Sequence, residues 1–153
     1  MRICLRTPVK GNYVDVLRAF DRDLFEALAP PLVNIQLLRF DGSSKGDVVH
    51  LKLRILGIFR QEWLVKITDE QVQNKMAWFT DEGRKLPSVI KSWEHNHIVE
   101  KDGENSIIVD DIHFIPSSPI MGALLYPGLY LQFLWRKPVY KRYFAKKFAQ
   151  KAA

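Results

Sequence analysis

Residues 89–115 read VIKSWEHNHIVEKDGENSIIVDDIHFI, and the reading of this stretch decides the fold. Two alternating runs flank Asp102-Gly103. An Asp-Gly pair between such runs signals a tight hairpin, because a type I′ turn needs positive φ at both central residues. With Asp102 and Gly103 at the centre, Lys101 faces Glu104, and His97, His95 and Trp93 face Ile108, Asp110 and Ile112. Directly opposed residues share a face, with Cβ atoms about 4.5–5.5 Å apart. One face then carries Trp93, His95, His97, Val99, Ile108, Asp110, Ile112 and Phe114. It is mostly apolar and should turn inward, holding a His95–Asp110 pair in an otherwise greasy wall. A slip of one residue would pair His95 with Asp111 or Val109 instead.

Upstream of the hairpin, DVVHLKLRILG (47–57) alternates cleanly, with Val49, Leu51, Leu53 and Ile55 on one face. LVNIQLLRFDG precedes it and ends in the turn residues Asp41-Gly42-Ser43-Ser44. RQEWLVKIT places Trp63, Val65 and Ile67 together, and NKMAWFT reads as the next strand with Met76 and Trp78 on one face. Residues 81–87 look like a loop. At the front, Ile3–Val9 reads as a strand, and Val16, Leu17, Phe20, Leu24, Phe25 and Leu28 fall at helical spacing. Ala29-Pro30-Pro31 stops that helix, and the charged run 21–23 splits it into two short ones. The last third is helical, with Pro127 and Pro138 each suited to a first turn. Short helices at about 120–126, 128–136 and 138–150, or one kinked helix, are expected. The outline is α+β: β-αα-β6-α, an antiparallel sheet with a long helical element across one face.

At 153 residues the chain (1–153) reads as one domain, large enough to bury a core. Cys4 is the single cysteine, so no internal disulfide forms, and a reducing, cytoplasmic setting fits. The opening residues hold no apolar run of a secretory signal. The charge is uneven. Seven basic residues of the tail (about 136–153) exceed the whole net charge of +6, leaving 16 Lys and Arg against 17 Asp and Glu elsewhere. Residues 114–135 carry no charge, which by length alone permits a membrane span. Pro116, Pro119 and Pro127 favour a buried helix in a globular domain.

Four readings of the histidine pair follow. His95 and His97 stand about 6.6 Å apart along a strand, and with Asp110 they form three ligand types that a metal could use. A carboxylate-oriented histidine also suits acid/base chemistry. A few polar anchors in an apolar cavity suit a bound small molecule. The plain alternative is a satisfied core pair that fixes strand register. Nothing else marks a metal site, so neither a metal nor a cofactor is expected. No nucleophile elbow, phosphate loop or Cys-x-x-Cys is present. His50 and His113 fall on outer faces and read as solvated. Trp63, Trp78 and Trp93 are expected to face inward, as core or as flat walls for a ligand.

The ordered pieces Pro30-Pro31, Gly46-Asp47, Phe79-Thr80-Asp81-Glu82, Trp93-x-His95-x-His97, Asp110-Asp111 and Arg136 resemble the polyketide cyclase/dehydrase-like, START-related superfamily, in particular its small bacterial ligand-binding members. The resemblance covers about residues 3–148. The chain departs from that pattern at Leu86-Pro87-Ser88 and in its basic tail. The resemblance implies a helix-grip fold, in which a curved sheet wraps a C-terminal helix around a cavity, and a hydrophobic small-molecule partner. Trp63, Trp78, Trp93, Phe114, Leu131 and Phe133 would then supply apolar wall, and His95, His97 and Asp110 polar anchoring. The enzymatic alternative is a cyclase or dehydratase using His95 with Asp110. A further alternative is a peripheral module held to anionic membrane by the tail, whose basic residues interleave with Tyr140, Tyr143, Phe144 and Phe148. No motif for reading nucleic acid accompanies the charge.

Overall fold

A computed structural model describes residues 1–151, except for the side chains of Gln150 and Lys151. The last two alanines of the basic tail lie outside the described residues. Strand β1 (Arg2–Val9) leads into helices α1 (Tyr13–Arg18) and α2 (Arg22–Ala27). Strands β2 (Val33–Phe40), β3 (Val48–Ile55), β4 (Phe59–Gln73), β5 (Met76–Lys85), β6 (Ile90–Asp102) and β7 (Asn105–Pro116) follow, and α3 (Pro119–Lys151) closes the chain. The seven strands form one antiparallel sheet in the order β1-β7-β6-β5-β4-β3-β2. The sheet curves over α3, and the α+β outline is the one expected.

The capping chemistry of the short helices is explicit. Asn12 accepts from the Val14 N–H and Asp21 from the Leu24 N–H, each meeting a donor that the first turn leaves without a helical partner. α2 ends at Ala27, ahead of the Ala29-Pro30-Pro31 stop read from the sequence.

Two expectations change. The β6–β7 turn centres on Gly103-Glu104, because Lys101 pairs with Ser106 and Asp102 with Asn105. Gly103 has φ 60° and Glu104 is not among the positive-φ residues, so one glycine at the first central position suffices, as in a type II′ turn. The register moves by two residues, which preserves both faces but sets His97, not His95, opposite Asp110. Residues 81–85 are not loop: β5 runs through them to Lys85, paired with β4, and the register shifts at Arg84 of β5 and at Thr68 of β4. Of the two forms expected for the C-terminal third, the structure takes the single long helix, with Pro127 and Pro138 in its interior. No helix among the described residues is long and apolar enough to cross a membrane.

Two apolar clusters fill the space between sheet and helices. The first joins Val16, Leu17 and Leu24 of the short helices to Phe79, Val99 and Ile108 of the sheet and to Val139, Tyr140 and Phe144 of α3. The second joins Ile3, Trp63, Trp93, Ile112 and Phe114 to Phe133. The tail's aromatic stripe therefore belongs mainly to the core: Tyr140 and Phe144 are fully buried, while Lys141, Arg142 and Lys146 stay exposed.

Candidate functional site

Four titratable side chains meet on the inner face of three neighbouring strands. Asp81 on β5 stands opposite His95 on β6, and His97 stands opposite both Phe79 on β5 and Asp110 on β7. The period of two sends Ala77, Phe79 and Asp81 inward together, and Trp93, His95 and His97 likewise. Asp110 is 1% exposed, His95 3%, and Asp81 and His97 8% each.

The two imidazoles lie side by side, ring centroids 3.6 Å apart, with a carboxylate at each end. At one end His95 Nε2–H donates to Asp110 Oδ1 at 3.0 Å, and the Tyr140 hydroxyl donates to the same oxygen at 3.4 Å. Arg136 Nη1 approaches that oxygen to 3.9 Å. At the other end His97 Nε2–H donates to Asp81 Oδ2 at 2.8 Å, and Trp93 Nε1–H donates to Asp81 Oδ1 at 3.1 Å. His95 Nδ1 faces Asp81 Oδ2 at 3.7 Å. Phe79 stacks on His97 at 4.2 Å, and Phe133 meets His95 edge-on at 5.1 Å, so apolar rings fix both imidazoles.

Burial and charge act against each other here. Burial raises the Asp81 carboxyl, but the His97 hydrogen bond, both imidazoles and the Trp93 N–H outweigh it and hold the group below its ordinary value. Asp110 behaves likewise: burial raises it, and the His95 bond with the nearby Arg136 charge brings it down. His97 is pushed down to about 4, first by burial and then by the neighbouring His95, and its bond to Asp81 offsets only part of that. It is therefore neutral at pH 7. Burial, followed by the charge of Asp110, drives the Tyr140 hydroxyl upward, so it remains a donor.

Beyond the histidines, between the sheet and the N-terminal half of α3, lies a cavity of about 660 Å³. Most of its wall is apolar, and the carboxylate–imidazole cluster forms one polar end.

No protein-family model matches the chain, and no curated protein is similar to it in sequence. Solved structures are similar in shape. The KanY protein superimposes with a TM-score of 0.72 at 12% identity, covering 95% of this chain and 97% of its own. The Zhui aromatase/cyclase from Streptomyces sp. R1128 gives 0.65 at 11% identity, over 91% and 90% of the two chains. Major latex-like protein 151 from Panax ginseng gives 0.55 at 14% identity, over 90% and 97%. The fold is the helix-grip fold.

Within the helix-grip, the residues named from sequence divide into three groups. Trp63, Trp93, His95, His97, Leu131 and Phe133 line the cavity, Leu131 at its rim with 63% exposure. Asp110 sits behind His95, and Phe114, 1% exposed, packs in the core beneath Trp93. Trp78 does not join them, which corrects the expectation that all three indoles turn inward. Its position, one residue out of phase with Phe79, sends it to the opposite face, where its Nε1–H donates to Asp69 Oδ2 at 3.0 Å. His50 and His113 are on that outer face too, against Glu62 and Asp111.

Sequence reasoning missed Asp81 and Tyr140 as members of the cluster. For Asp81 the signal was present: strand alternation carried two residues past Phe79 places it on the histidine face. The run Asp81-Glu82-Gly83 suggested a turn and ended that strand too early.

Proposed function

We propose that this protein binds an apolar small molecule between the sheet and α3, with the molecule's polar group turned toward His95 and His97. The observation that carries this reading is the cavity itself: about 660 Å³, largely apolar, with one polar end. Binding cavities for drug-sized ligands run about 300–1,000 Å³ and place a few polar groups in an apolar wall. One protein of similar shape is the Zhui aromatase/cyclase, which agrees with such use of the fold. Trp63 and Trp93 line the wall and pack edge-on at 5.0 Å, so a bound ligand should change their fluorescence. Native mass spectrometry of the chain, with titration of fatty acids and polycyclic aromatics followed by tryptophan emission, tests the reading. The expected result is a saturable emission change and a retained ligand mass. A flat titration with no bound mass across both classes refutes it.

A second reading, general acid/base catalysis of a cyclase or dehydratase type, has its own observation: His95 touches the cavity while Asp110 holds its ring from behind. A carboxylate oriented in this way fixes the tautomer and orientation of a catalytic histidine. His95 would move the proton and Asp110 would position it. Full turnover by His95→Ala on a β-keto or hydroxy substrate would exclude it.

A further inference from the structure

The cluster holds more than two hydrogen-bonded pairs. Because His95 uses Nε2 toward Asp110, Nδ1 is its remaining ring nitrogen and the one that can offer a lone pair to a metal. That lone pair points at Asp81 Oδ2, 3.7 Å away. Two acceptors thus face one another, an arrangement that a positively charged centre satisfies. His97 brings Nε2 to the same oxygen at 2.8 Å, and its buried Nδ1 has no hydrogen-bond partner among the described residues. Asp81 Oδ1 is meanwhile held by Trp93, which leaves Oδ2 free to turn toward both rings.

We propose that Asp81 Oδ2, His95 Nδ1 and His97 Nε2 form a binding site for one divalent transition-metal cation of the zinc or ferrous class, with its open positions toward the cavity. The three residues each offer a ligand atom, and those atoms lie within 4.8 Å of one another. Ligand atoms about 2.0–2.2 Å from a tetrahedral zinc ion lie about 3.3 Å apart, so the pairs need changes from about 0.4 Å to at most about 1.5 Å. Two imidazoles and one carboxylate with open positions form the donor set of catalytic zinc and non-haem ferrous sites.

The surroundings fit as well. Metal-bound imidazoles commonly donate their second N–H to a carboxylate. His95 already does so to Asp110. Ligation of His97 through Nε2 moves its proton to Nδ1, which faces Asp110 Oδ1 at 3.9 Å. Asp110 then backs both rings, and the stranded nitrogen of His97 gains a partner. Charge agrees: Asp81 and Asp110 are both buried carboxylates, and Arg136 is the neighbouring cation that offsets them. The open positions face an apolar cavity, so they would receive an oxygen donor carried by an otherwise apolar ligand. The metal site stands independently of whether such a ligand binds.

The test uses the full chain, stripped with chelator and titrated with Co2+ and then Zn2+. One Co2+ per chain should bind with a visible absorption band, and Zn2+ should displace it. Ring resonances of His95 and His97 should broaden with Co2+ while those of His50 and His113, on the outer face, stay sharp. Asp81→Asn and His97→Gln should each weaken Zn2+ binding by more than about 100-fold, and Asp110→Asn by about 10–100-fold. Absence of binding at millimolar Zn2+ overturns the proposal. So does an unchanged affinity in Asp81→Asn, or broadening at His50 or His113 instead. If a variant fails to fold by circular dichroism, the resonance pattern of the unaltered chain decides.

Discussion

The two ends of the helix–sheet sandwich are built to different rules. Around the C-terminal half of α3, Tyr140 and Phe144 are completely buried, and Phe20 packs against both of them and against Phe79. Around the N-terminal half, Leu124 and Leu131 remain more than 60% exposed, and beside the Trp93–Phe133 stack a cavity lined by Trp63 and Trp93 opens between sheet and helix. The polar cluster stands at the border between the two. Apolar surface is removed from water at one end and left lining a cavity at the other, so the two halves of the same helix are packed differently.

That contrast can be broken by mutation. Phe144→Ala, in the filled end, should lose about 3–5 kcal/mol by urea unfolding, because a fully buried ring leaves a cavity that close-packed neighbours cannot fill. A loss under about 1 kcal/mol would abolish the distinction. Trp63→Ala, in the hollow end, should lose only about 1–2 kcal/mol, since part of the indole already faces open space and forfeits fewer contacts. The same variant should directly reduce the ligand-induced fluorescence change, as Phe144→Ala should not, leaving the share carried by Trp93 and Trp135.

A smaller effect belongs to Asp21, which caps α2 and accepts from Lys147 Nζ at 3.1 Å. Burial tends to raise its carboxyl, yet the Leu24 N–H and Lys147 prevail and hold it below 3.8. A lowered native value means that the contribution is complete above pH 3.8 and fades as pH falls through the lower native value. Asp21→Ala should therefore lose about 1 kcal/mol at pH 7, chiefly as cap energy, and progressively less below pH 4. Smallest of all, Leu131→Ser should stay within about 0.5 kcal/mol in stability, as exposed positions do, while altering the rim of the cavity. A large destabilisation there would mean that the hollow end carries the fold after all.

Much of the architecture was legible because it rests on local patterns. Alternation in 47–55 and 89–115 marked strands and their faces, and a two-residue shift in the turn left those faces intact. The partnerships were less legible. Which residue opposes Asp110 depends on where one positive φ falls, and Gly103 alone takes it. Asp81 was hidden because a buried carboxylate inside a strand is tolerated only with partners, and those partners, Trp93 and His97, arrive 12 and 16 residues later. Trp78 misled by bulk: an indole can as well lie along an outer face if its N–H finds an acceptor, here Asp69. Pro127 and Pro138 suggested helix starts, but α3 continues through both.

Those two prolines make α3 mechanically uneven. Proline has no N–H to give, so Pro138 leaves the carbonyl of Leu134 without its usual helical bond, and Pro127 does the same for Ala123. Pro138 falls just before Val139 and Tyr140, where the anchored part of the helix begins. The stretch over the cavity is thus joined to its anchor across a joint of reduced stiffness and interrupted at Pro127. The proline-interrupted part of the helical ladder therefore lies over the cavity, and the part packed in the core, beyond Pro138, is free of proline.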